Sequence, residues 1–263
     1  MPVCNKIMGK ITFLGTGTSQ GVPVISCRCE VCLSSDPHDK RLRSSVLLEI
    51  VGKVIAIDCG PDFRQQMLRE DVRRLDAILI THPHKDHTGG MDDVRAFNYT
   101  MRKPMDVYAE QHAQKILMNE FYYAFGDNRY PGVPDINLVK IDENPFKIGE
   151  IDIIPIRGMH YKLPVLGFRI GDIAYLTDMN SIEDLELDKL RDIDIFVINS
   201  LRTQKHLSHF CLPEALEIIK KIKPKRAYLT HISHQLGFHK QVSEILPEGV
   251  ELAYDGLKLE FDE

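Results

Sequence analysis

The sequence predicts an α/β protein of the four-layer αββα kind, with two mixed β-sheets packed face to face and helices outside. Three observations predict it. Short β-branched apolar runs recur from end to end, helical periodicity fills the intervals, and paired runs come first with strand–helix alternation after them.

Taken in order, residues 10–14, 46–50, 54–57, 77–80, 105–108, 151–156, 166–170 and 173–176 have the length and composition of strands. Residues 195–198, 227–229, 250–253 and 257–261 continue the series. Between them, helical spacing of apolar residues spans 61–70, 91–97, 109–120, 182–190, 213–221 and 239–246, and Pro61 and Pro213 suit first-turn positions. The stretch 121–137, rich in aromatics, Gly and Pro, is the one irregular segment. It reads as a packed surface loop or a homodimer contact, with a lid over the active site as the sharper alternative.

The 263 residues are 43% hydrophobic and 27% charged, the balance of a packed globular protein. We read one domain over 1–263, with a metal-binding loop at about 26–34 and an aromatic-rich insertion at about 119–137. Residues 1–9 lack an apolar leader core, and no stretch approaches the roughly 18 apolar residues of a membrane span. A cytoplasmic location with no membrane partner is expected, and the six cysteines should be reduced. The net charge of −5, with Lys and Arg dispersed, offers no broad basic surface for nucleic acid and leaves a small phosphorylated substrate open.

Chemistry concentrates in His82-Pro83-His84-Lys85-Asp86-His87, three histidines and an aspartate in six residues. Pro83 disfavours a helical conformation at His82, which excludes the His-Glu-x-x-His helix of zinc proteases. In an extended segment His82 and His84 face one side and can share a metal, while Asp86 and His87 follow at the turn into a helix beginning near Gly90. Six residues cannot fill two coordination spheres. His160, Asp178 and His231 each stand at or soon after the end of an apolar run, at the rim of a sheet. Singly, each also fits a capping residue; with the loop they complete a set.

A second cluster is Cys27-Arg28-Cys29-Glu30-Val31-Cys32. Three thiolates and one histidine make a closed tetrahedral zinc site, and His234 is the fourth ligand we choose; buried thiols are the alternative. Gly15-Thr16-Gly17-Thr18-Ser19 lacks the Lys of a phosphate loop and reads as a tight turn, and His38, His112 and His239 read as surface residues.

From His82 onward the chain resembles the metallo-β-lactamase superfamily, whose signature is His-x-His-x-Asp-His followed by an isolated His, an Asp and a final His. The resemblance implies the metallo-β-lactamase fold and a binuclear centre. In it His82, His84 and His160 hold one divalent metal, Asp86, His87 and His231 hold the other, and Asp178 bridges them. It also makes Asp58 the aspartate that steadies a ligand histidine. With no thiolate among the seven ligands, Zn, Mn or Fe would serve. Two cations sharing a carboxylate activate water, so hydrolysis is the expected reaction, with Asp86 counted among the catalytic residues beside its part as a ligand.

The cysteine loop narrows the resemblance to the PhnP group of phosphodiesterases, which carries this loop and the final His-x-x-His. That implies hydrolysis of a small phosphodiester, such as a cyclic ribose or nucleotide phosphate. Position in that group's motif selects His209 over His206 as general acid, although either fits a surface histidine by sequence alone. Three rivals stand beside this reading. Ribonuclease Z shares the ligand set, but the acidic balance and lack of a basic arm speak against it. Thioester hydrolases of the glyoxalase II type carry an added C-terminal helical domain. Non-catalytic cofactor-biosynthesis proteins share the cysteine loop but tend to have an altered histidine motif.

Overall fold

The computed structural model describes residues 8–126 and 129–262; residues 1–7, Asp127 and Asn128 of the aromatic-rich stretch, and Glu263 lie outside the described residues. The strands of the first sheet are β1 (Met8–Gly15), β2 (Ser45–Ile50), β3 (Lys53–Ile57), β4 (Ala77–Leu79), β5 (Met105–Glu110) and β6 (Ile136–Ile141). Those of the second are β7 (Phe146–Ile148), β8 (Ile151–His160), β9 (Leu163–Ile170), β10 (Ile173–Tyr175), β11 (Ser181–Ile182), β12 (Ile195–Asn199), β13 (Arg226–Thr230) and β14 (Val250–Leu252). The last strand, β15 (Lys258–Asp262), returns to the first sheet, whose order is β15-β1-β2-β3-β4-β5-β6. The second sheet runs β11-β8-β9-β10-β12-β13-β14, with β7 paired to β8.

Antiparallel hairpins open each sheet and parallel strands follow, β3 to β6 in the first and β10 and β12 to β14 in the second, before β15 pairs antiparallel with β1. Parallel strands are covered on both faces and therefore read as continuous apolar runs. β12 shows this directly. Ile195 and Val197 join the core between the sheets, whereas Phe196 and Ile198 join the core under the outer helices. The inter-sheet core takes Phe13, Leu48 and Ile57 from one sheet and Phe168, Tyr175 and Val197 from the other. Outside the first sheet pack α2 (Phe63–Arg69), α4 (Arg95–Met101) and α5 (Gln111–Glu120), and outside the second α7 (Leu212–Ile222) and α8 (His239–Ser243). The short helices α1 (Glu30–Leu33), α3 (Lys85–Thr88) and α6 (Asp184–Asp188) lie between strands. This is the four-layer αββα arrangement. Among the described residues no helix is long and apolar enough to cross a membrane.

Several expected bounds are corrected. The metal loop enters α3 at Lys85, not a helix near Gly90, so Asp86 and His87 are helical. His160 is the last residue of β8 rather than a residue beyond it, because β8 continues pairing with β9 to His160↔Leu163. β6 takes up Ile136 and Asn137 of the stretch expected to be irregular, and β7 and β11 add to the expected series of strands. Pro61 precedes the N-cap Asp62, while Pro213 does sit in the first turn of α7. The aromatic segment packs on the metal loop: Lys85 Nζ lies 2.8 Å from Glu120 and 5.1 Å from the Phe121 ring centroid.

Candidate metal centre

The C-terminal ends of parallel strands from both sheets converge on one edge of the sandwich, the place where α/β sheets hold ligands. Asp58 follows β3, His82 follows β4 after Thr81, Asp178 follows β10, and His231 follows β13. Asp58, Asp178 and His231 take positive φ of 64°, 57° and 54°, which turns each chain sharply as it leaves its strand. Asp and His are among the side chains that adopt this region more readily.

All seven expected ligands come together. His82, His84 and His160 form one group of donor atoms, His82, His87 and Asp178 a second, and Asp86, Asp178 and His231 a third. Asp178 is common to the last two and stands between the sets. Its Oδ1 is 3.4 Å from His87 Nε2 and 2.8 Å from His231 Nδ1, and its Oδ2 is 3.8 Å from His82 Nε2. Asp86 Oδ2 lies 3.1 Å from His87 Nε2, and His82 Nε2 lies 3.1 Å from His84 Nδ1.

Outer groups orient these rings. His87 Nδ1 donates to Asp58 Oδ2 at 2.6 Å, and Asp58 in turn accepts from Thr81 N and Thr81 Oγ1, both at 2.9 Å. His160 Nδ1 donates to the Ser208 carbonyl at 2.8 Å, which leaves its Nε2 with a free lone pair. A hydrogen-bonded far nitrogen is the usual support of a metal-ligating imidazole. Buried Nε2 atoms of His87 and His231 have no hydrogen-bond partner among the described residues. Buried polar atoms left unpaired are costly, so this donor set fits divalent cations.

Burial opposes protonation of His87, but Asp178, Asp58 and Asp86 outweigh it and hold the imidazole well above its usual range, so the carboxylates here draw positive charge into the site. Burial opposes ionisation of Asp178, but the neighbouring His231 and His87 outweigh it and hold the carboxyl well below its usual range. Burial, reinforced by His87 and His84, pushes His82 far down and keeps it a neutral donor. Burial raises Asp58, with His87 and the Thr81 hydrogen bonds working against it.

His209 lies outside the ligand set assigned from sequence, yet its ring nitrogen forms a further group of donor atoms with His160 and Asp178. Its ring centroid is 4.6 Å from that of His160 and 4.8 Å from that of His231, and its Nδ1 is 4.0 Å from Asp178 Oδ2. Burial first, then the like charge of His231, His160 and His206, push it down to about 3 despite Asp178. His206 stands behind it, with ring centroids 5.2 Å apart.

The cysteine cluster also assembles. Cys27, Cys29 and Cys32 place their Sγ atoms 3.4, 3.2 and 3.5 Å from His234 Nδ1. The Cys32 backbone N–H and then His234 bring Cys29 down to about 6, favouring the thiolate a metal requires, whereas burial pushes Cys32 up to about 11. The segment 15–19 does more than turn. Thr16 O accepts from Ile232 N at 2.8 Å and Thr18 N donates to Ile232 O at 3.1 Å, clamping the backbone between His231 and His234.

Sequence reasoning missed the supports. Thr81 holds Asp58, and Asn199 brackets the Asp178 turn by accepting from Met179 N and donating to Met179 O. A polar residue closing a buried apolar strand is the available signal in both places. His239 is corrected from a surface residue: it is half-buried and its Nδ1 accepts from Arg41 Nη2 at 3.1 Å. His38 packs on it, with ring centroids 4.8 Å apart, whereas His112 is exposed as expected.

Residues 53–232 match the family model described as the beta-lactamase superfamily domain, and the chain belongs to that superfamily. The likeness to the PhnP group is specific. A crystal structure of a new diphosphatase from the PhnP family superposes with a TM-score of 0.91 at 40% identity, covering 97% of this chain and 98% of that one. An octanoyltransferase of Porphyromonas gingivalis is 42% identical over 253 residues, 95% of this chain and 51% of that protein. A ribonuclease Z of Methanococcus maripaludis is 25% identical over 201 residues, 74% of this chain and 57% of that protein. The chain thus spans about half the length of these curated relatives.

Proposed function

We propose that this protein hydrolyses a small phosphodiester at a two-metal centre. His82, His84 and His160 would hold one cation, Asp86, His87 and His231 the other, with Asp178 between them. Bound there, two divalent cations would supply an activated water nucleophile and neutralise charge on the phosphoryl oxygens. The protein's own part is positioning and proton delivery. Asp58 and the Ser208 carbonyl fix the His87 and His160 rings by the hydrogen bonds described above. Cys27, Cys29, Cys32 and His234 would hold a structural zinc, which would anchor the His231–His234 segment.

The observation that carries the reading is His209, a buried histidine beside the centre with an unpartnered Nδ1. With the seven other side chains assigned to the cations, it serves as the acid that protonates the departing alkoxide. An anionic phosphodiester beside the ring favours its protonated form and so opposes the effect of burial. A second reading, hydrolysis of a diphosphate linkage, is favoured by the full-length likeness to the PhnP-family diphosphatase. The test loads the protein with Zn or Mn and follows bis(p-nitrophenyl) phosphate, a 2′,3′-cyclic nucleotide and a dinucleotide diphosphate by phosphorus NMR. Cleavage of the first two supports the diester reading and cleavage of the last alone the diphosphate reading. No cleavage of any would remove both.

A further inference from the structure

Among the described residues ten other than glycine hold a positive φ, and Asp58, Asp178, His231 and Tyr161 are the four at or beside the centre. The first three leave strand ends and bring functional side chains to the site. Tyr161, with φ 58°, has no such duty. It is the first residue of the two-residue tip between β8 and β9, directly after His160, which pairs with Leu163. A positive φ at the first place of such a tip favours glycine, and a bulky side chain there is strained. Strain of this kind persists where the surroundings hold it in place, and it concentrates at functional sites.

Here the surroundings are visible. Asn180 Oδ1 accepts from Tyr161 N at 2.7 Å, Asn180 Nδ2 donates to Leu207 O at 3.1 Å, and Asn180 N donates to Met159 O at 2.8 Å. The hairpin tip and the loop carrying His206 and His209 are thereby pinned together by a residue that follows Asp178 closely in the chain. Both present apolar surface: Tyr161 is 50% exposed and Leu207 67%. Lys162 Nζ lies over the Tyr161 ring, 5.3 Å from its centroid.

We propose that Tyr161 is a stacking platform for a planar heterocycle of the substrate, so that the centre takes nucleoside-type phosphoesters. The proposal rests on the phosphoester reading above. Stacking of a base on an aromatic side chain typically raises affinity by about tenfold or more.

The test is calorimetric titration of the metal-loaded protein with 5′-AMP and with ribose 5-phosphate, which lacks the base. The unaltered protein should bind 5′-AMP about tenfold more tightly. Tyr161→Phe should keep that preference. Tyr161→Asn, whose side chain suits this φ, should bind the two alike and melt no lower, and Tyr161→Gly provides a second ring-free variant. A preference that survives in both ring-free variants, or that is absent from the unaltered protein, overturns the platform. Turnover of bis(p-nitrophenyl) phosphate is measured alongside. Turnover without the preference sinks the platform alone; the preference without any phosphoester turnover sinks the phosphoester reading and leaves the platform standing.

Discussion

Among single residues, His209 and Asp178 separate proton delivery from metal binding. An alkoxide leaves poorly without a proton, and a positioned acid is worth roughly 10²- to 10⁴-fold, whereas a nitrophenolate leaves unaided. We expect His209→Ala to lose that factor on a 2′,3′-cyclic nucleotide and to retain most of its rate on bis(p-nitrophenyl) phosphate. His206→Ala should keep its rate on both substrates. Asp178→Ala should lose activity on both substrates alike, because it disturbs the centre rather than the leaving group. The measurement is the ratio of kcat/KM losses on the two substrates, with metal content checked in each variant. Equal losses in His209→Ala would make it a ligand or a folding residue, and no loss on either would leave it without a role.

Among the elements, the centre depends on how closely backbones approach. A Cβ on Gly60 would stand 2.0 Å from the Asp86 carbonyl oxygen, and backbone there cannot step aside without moving α3. Gly60→Ala should therefore lower metal content and turnover together; a variant with full metal occupancy and normal rate would show that α3 has slack. The cysteine loop acts through a different element. Since His234 lies shortly past His231 in the chain, Cys29→Ser should release the tightly held zinc and lower the melting temperature, with a chelator removing the other metals first from the unaltered protein. Retention of that zinc in Cys29→Ser would break the assignment. Element types were legible because apolar periodicity is local, while their bounds moved with their partners: β8 reaches His160 only because β9 pairs with it that far.

Across the whole molecule, two sheets share one apolar interior whose outer edge is the site. Phe168 is 1% exposed in that interior, and truncating a buried aromatic costs roughly 3–5 kcal/mol. Phe168→Ala should lose stability of that order in urea unfolding; a loss under about 1 kcal/mol would mean the layer collapses around the cavity. The αββα layering could be read from the chain alone, because strand and helix periodicities are local. So could the candidate ligands and the cysteine loop, because His, Asp and Cys at such density and at strand ends have few other uses. What surrounds them emerged from packing. Asn199 brackets Met179, Asn180 joins Tyr161 to Leu207, and Thr16 clamps Ile232, pairs that lie far apart in the chain. Such contacts follow from how two twisted sheets bring their strand ends together, and no local pattern in the amino-acid order records them.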